Sequence, residues 1–79
     1  MPKSREELLA RNLKKIRTGL GRPQAEIARD IGYSPAALCL KENNSRPLYA
    51  ADLQPIAKAL GLDFLVFVSM LYSEETLSL

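Results

Sequence analysis

Leu9, Leu13, Ile16 and Leu20 recur at steps of four, three and four residues, the spacing that lines one face of an α-helix. Ser4 followed by Glu7 is a capping-box pattern ahead of this run, and Gly19 and Gly21 close it. A first helix is therefore predicted from Ser4 to about Thr18. Ile27, Ala28 and Ile31 share one face of a short second helix, Gln24 to Ile31, preceded by Pro23, whose fixed φ suits a first turn. Gly32 breaks that helix, Ser34 is a good N-cap, and Pro35 suits the first position of a third helix, Pro35 to Glu42. The polar run from Asn43 to Pro47 is a loop. Leu53, Ile56, Ala57 and Leu60 form a fourth helical face closed by Gly61. Pro55 has no N–H to donate, so a late start is predicted, with Asp52 as N-cap and Pro55 in the first turn. Asp63 caps a fifth segment, Phe64 to Tyr72, apolar nearly all round apart from Ser69. Composition alone allows a strand there; the cap and the helical context favour a helix. Residues 73–79 read as a frayed tail, leaving one all-α domain of five helices over residues 1–72.

Charge divides this domain in two. Residues 1–47 carry ten Lys and Arg against five Asp and Glu, whereas residues 48–79 carry one against four. A basic half beside an acidic half suits a domain with one face for an anionic polymer, although solvated helix faces produce the same counts. Cys39 is the only cysteine and histidine is absent, so neither an intramolecular disulfide nor a zinc cluster can be built. A reducing, cytoplasmic setting fits, with no metal or cofactor. The start of the chain has no signal-peptide pattern, and the longest apolar run, Phe64 to Val68, is far short of a membrane span. Catalysis is not expected, because the available nucleophiles, Cys39 and the serines, lack a recognisable base.

The second and third helices are joined by Gly32 and Tyr33 with almost no linker. So tight a corner needs a small residue where the helices pass, here Ala28, a glycine at the turn, and apolar residues inward, here Ile27, Ile31, Tyr33 and Leu38. The start of the third helix then projects outward, positioned to enter a groove as wide as a helix.

Together with KKIR in the first helix, Gln24, the loop Glu42-x-Asn-Ser-Arg, the fourth-helix positions Leu53, Ile56, Lys58 and Leu60, and the terminal FLVFVSML, this corner resembles the lambda-repressor and Cro-type helix-turn-helix family. Among its members the resemblance extends to the controller proteins of restriction–modification systems. It covers nearly the whole chain. It implies a lambda-repressor-like fold and a homodimer on a palindromic operator in double-stranded DNA, with the fifth helix as the dimer contact. Independently, Phe64, Leu65, Phe67, Val68 and Leu71 cannot all face one small core, and a second copy is the simplest cover for the surplus.

By the same resemblance Gln24 holds a phosphate at the start of the second helix, and Asn43, Asn44, Ser45 and Arg46 form the phosphate-contacting loop. Arg46 is the strongest single choice, since guanidinium matches phosphate bidentately. Lys14, Lys15 and Arg17 are candidates for further backbone contacts. The family reads bases with polar side chains at the start of the third helix, where this chain has Pro35, Ala36 and Ala37. Those side chains make no bidentate hydrogen bonds to bases, so Ser34, Cys39 and alanine contact with thymine methyls are left for direct readout. A second departure is Leu40 with Lys41, where the family pattern places the apolar residue at 41. Either the third helix rotates or unwinds slightly to bury Leu40, or Lys41 lays its stem along the core and snorkels outward, and exchanging the two is expected to stabilise the fold. Three functions fit this sequence: a dimeric transcriptional regulator, an antitoxin-like protein-interaction module of the same fold, and a scaffold or redesigned variant without specific DNA binding.

Overall fold

In the computed structural model, which describes residues 4–74, Ser4 is extended and its Oγ accepts the Glu7 amide N–H at 3.2 Å. That cap starts α1 (Arg5–Gly19). Pro23 stands immediately before α2 (Gln24–Ile31) as its extended N-cap residue. Ser34 Oγ accepts the Ala37 N–H at 3.1 Å and starts α3 (Pro35–Glu42), with Pro35 in the first turn as predicted. Asp63 accepts the N–H groups of Leu65 and Val66 and starts α5 (Phe64–Leu71), so the apolar segment is a helix and Tyr72 its C-cap.

The fourth helix departs from expectation. α4 spans Ala50–Leu60, with Tyr49 as N-cap and Pro55 inside the helix. Asp52 is not the N-cap but a residue of the first turn, whose carboxylate accepts the Tyr49 N–H at 2.7 Å. An early start therefore satisfies an otherwise orphan donor, while Pro55 leaves one carbonyl without its helical partner. Burial of Ile56, Ala57 and Leu60 on the inner face offsets that loss.

The core gathers Leu13 and Ile16 of α1, Ile27 and Ala28 of α2, Leu38 of α3, the inner face of α4, and Phe67 and Leu71 of α5. Phe67 and Leu71 have no exposed surface, which takes both out of the expected dimer face. They lie four residues apart and so fill the core from one side of α5, whereas Leu65, Val66 and Tyr72 face outward at 75%, 49% and 43% exposure. α1 holds the end of this helix: the buried Asn12 donates from Nδ2 to the carbonyls of Leu71 and Ser73, each at 2.7 Å. Ser73, expected to begin a frayed tail, is thereby anchored; residues 75–79 of that tail lie outside the described residues. Among the described residues, no single helix is long and apolar enough to cross a membrane.

Candidate nucleic-acid interface

Gly32 makes the corner between α2 and α3 with φ of 77°. A side chain there would meet no neighbouring atom, so strain in the left-handed backbone, not lack of room, is what demands glycine. The turn is closed by the Tyr33 N–H donating to the Ala28 carbonyl at 2.8 Å. α3 consequently begins at the surface: Ser34, Pro35, Ala36 and Cys39 are exposed and Ala37 is partly so. Leu38, on the opposite side, is fully buried and holds the helix to the core.

The loop after α3 is shaped from within. Asn44 takes a left-handed conformation, φ of 64°, and the N–H groups of Ser45 and Arg46 both donate to the Leu40 carbonyl, at 2.8 and 3.1 Å. Asn43 Oδ1 accepts the Ser45 N–H at 3.1 Å, an Asx turn that folds the chain back. Asn43, Asn44, Ser45 and Arg46 are all exposed. Asn43 and Asn44 share a surface groove with Arg11 and Lys14 of α1, beside Glu7 and Glu42.

Gln24 is placed by a buried ion pair that sequence reasoning missed. Arg17 donates from Nε and Nη2 to the two carboxylate oxygens of Glu42, at 2.6 and 3.0 Å, and from Nη1 to the Arg22 carbonyl at 2.7 Å. Gln24 Nε2 donates to Glu42 Oε1 at 2.9 Å. Glu42, the last residue of α3, thus ties that helix to α1 and to the start of α2. Arg17 is only 8% exposed, so its guanidinium is an internal strut rather than the free cation the sequence suggested. The available signal was an Arg near the end of one helix and a Glu at the end of another, 25 residues apart, and periodicity cannot pair them.

The Leu40 and Lys41 inversion is resolved by a second buried pair. Leu40 is only partly buried, whereas Lys41 lies inside at 8% exposure. Its ammonium donates to Asp52 Oδ2 and to the Pro47 carbonyl, both at 2.9 Å, near the faces of the Tyr49 and Tyr33 rings, 5.0 and 5.7 Å from their centroids. The Tyr33 hydroxyl donates to Asp52 Oδ1. Lys41 therefore neither snorkels outward nor yields its place to Leu40. The expected benefit of exchanging the two is reversed, because the exchange leaves Asp52 buried without its ammonium. The double variant Leu40→Lys, Lys41→Leu should melt below the parent; a higher melting temperature would show that the pair is dispensable.

Burial by itself raises the Asp52 carboxyl, but hydrogen bonds from Tyr33, Lys41 and the Tyr49 N–H, with the Lys41 charge, outweigh it and hold the group below its usual 3.8. The Tyr33 hydroxyl is pushed up to about 12 by its hydrogen bond to the Asp52 carboxylate, then by burial and by the negative charge of Asp52. A lowered acid stabilises the fold above its unfolded value, and that contribution is lost as pH falls through the folded value. A raised phenol stabilises it below pH 10, and that contribution is lost as pH rises through about 12. The stability difference between the parent and Asp52→Asn in urea titrations should therefore shrink as pH falls below 3.8. A difference independent of pH would exclude this role for the carboxylate.

A glycine corner carrying an exposed helix start, on a scaffold of five packed helices, defines a helix-turn-helix protein. The wild-type restriction-modification controller protein C.Esp1396I superimposes with a TM-score of 0.76 at 30% identity, over 85% of this chain and 87% of that one. A tyrosine-to-phenylalanine variant of the same protein gives 0.78 at 30% identity over 90% of both chains. The clp gene regulator ClgR from C. glutamicum shares the fold, with a TM-score of 0.76 at 22% identity over 86% of this chain and 88% of that one. No protein-family model matches the sequence, and no curated protein does at the level of sequence. The chain belongs to the lambda-repressor and Cro-type helix-turn-helix family, together with the restriction-modification controller protein it resembles.

Proposed function

We propose that the chain is a cytoplasmic transcriptional regulator that binds double-stranded DNA as a homodimer on a palindromic operator. The observation that carries this reading is the exposed start of α3 with the Asn43–Arg46 loop at its end and Gln24 held beside it by Glu42. α3 enters the major groove; Gln24, Asn43, Asn44, Ser45 and Arg46 hold phosphates and fix its register. Ser34, Pro35, Ala36, Ala37 and Cys39 present little hydrogen-bonding chemistry to base edges, so selectivity rests on that register and on DNA shape. Arg17 has no place in the contact set, since its donors are engaged inside the protein.

The dimer face is the outer side of α5: Phe64, Leu65 and Tyr72 with the half-buried Val68, spaced so that residues 65, 68 and 72 share one stripe. Two copies joined there set their recognition helices about one DNA turn, roughly 34 Å, apart. The likeness to a restriction-modification controller protein favours control of such genes as the setting. A protein-interaction module of the same fold remains the competing reading, favoured by the same apolar stripe and the plain surface of α3.

Titration against a random duplex library at two salt concentrations separates them. The regulator binds selectively with an affinity that falls steeply with salt, and absence of binding at low salt rules it out. Arg46→Ala should weaken binding by a similar factor on every sequence and reduce the salt slope by about 1. Loss confined to one base position would instead make Arg46 a base reader.

A further inference from the structure

We infer that Lys41 and Asp52 are a positioning pair that holds Arg46 in place for DNA without touching it, a role that rests on the reading of Arg46 as a phosphate contact. A buried ion pair is weak evidence for stability, because apolar residues of similar volume often serve as well or better. Its placement is the informative part. The backbone around Arg46 has two sets of anchors. Upstream, the N–H groups of Ser45 and Arg46 donate to the Leu40 carbonyl. Downstream, Lys41 Nζ donates to the carbonyl of Pro47, the residue after Arg46, and Asp52 accepts the Tyr49 N–H. The residues flanking Arg46 on both sides are thus bound to consecutive residues of α3, Leu40 and Lys41.

The downstream anchor depends on charge chemistry that an apolar pair lacks. An ammonium supplies several donors from one atom, and here it serves a carboxylate and a carbonyl together. Asp52 in turn serves Lys41, the Tyr49 N–H and the Tyr33 hydroxyl. One buried carboxylate therefore joins the helix-turn-helix corner, the recognition helix, the loop and the start of α4. Lys41 sits inside with its ammonium engaged, so its influence on DNA has to pass through the loop.

Lys41→Met keeps the length of the side chain and removes the donors. In the free protein, hydrogen exchange at the Ser45 and Arg46 amides should quicken about tenfold, as expected for an opened local contact, while α1 and α2 amides stay as in the parent. In DNA titrations at fixed salt, Lys41→Met should lose most of the roughly tenfold affinity that loss of one charge-assisted contact at Arg46 implies. In an Arg46→Ala background, Lys41→Met should then cost no more than about twofold. If Lys41→Met alone is poorly folded, Lys41→Met with Asp52→Leu removes the stranded carboxylate and carries the same comparison. Unchanged loop exchange, or full additivity of the two substitutions on DNA, overturns the inference. If Arg46→Ala leaves affinity and salt slope intact, the phosphate reading fails on its own, and the exchange measurement still decides whether the pair orders the loop.

Discussion

Glu42→Ala should cost about 3–5 kcal/mol of unfolding free energy, read as a fall in the urea midpoint at constant slope. The reason is the Arg17 guanidinium, which would remain buried while two of its three protein hydrogen bonds disappear. Small domains have little to lose, typically about 5–15 kcal/mol in all, so the variant should give up a large share of its stability. Most of the penalty comes from the unpaired charge and not from loss of an intrinsically strong bond. Arg17→Met combined with Glu42→Leu should therefore recover most of the stability while leaving Gln24 without its partner. DNA affinity should stay low in that recovered protein, which separates folding from the orientation of Gln24. A double variant as unstable as Glu42→Ala would sink this account of the pair.

Phe67→Ala should be comparably severe, about 3–5 kcal/mol, because Phe67 is wholly inside and its neighbours can close the cavity only in part. Leu65, two residues earlier and 75% exposed, should behave in the opposite way. Leu65→Lys is expected to change the stability of a single copy by no more than about 0.5 kcal/mol. In light scattering over a concentration series, it should shift the proposed dimer to monomer. A dimer that persists in Leu65→Lys would remove α5 from the interface, and a mild Phe67→Ala would contradict the core described above. The pair of substitutions thus tests the division of one apolar helix into an inner and an outer face.

That division shows where sequence reading stopped. Every large residue of Phe64–Leu71 is apolar, so periodicity carries no contrast by which to choose a face. Only packing against α1 and α4 distinguishes Phe67 and Leu71 from Leu65. Helix 4 failed for a related reason. Asp52 has the local character of an N-cap, and Pro55, immediately before the first core residue of the helix, Ile56, would have suited a later start; the bond from Lys41, 11 residues away, and the Tyr49 amide decided otherwise. Arg17 reads as a surface cation in the sequence because most arginines are exposed, and the exception depends on a partner, here Glu42.

What the chain determined by itself lies within about one helical turn of each residue. Ser4, Ser34 and Asp63 cap their own helices, Gly32 turns the corner through its own φ, and apolar residues recurring at helical spacing mark α1 and α2. These features place the exposed helix start that characterises the family. Tertiary structure decided which charges are free and which are internal, since a charge becomes a strut only when a partner distant in sequence is brought to bonding distance in a dry interior. By that route Arg17 left the set of candidate DNA-contacting cations while Arg46 stayed exposed, and packing moved Phe67 and Leu71 from the expected dimer face to the core.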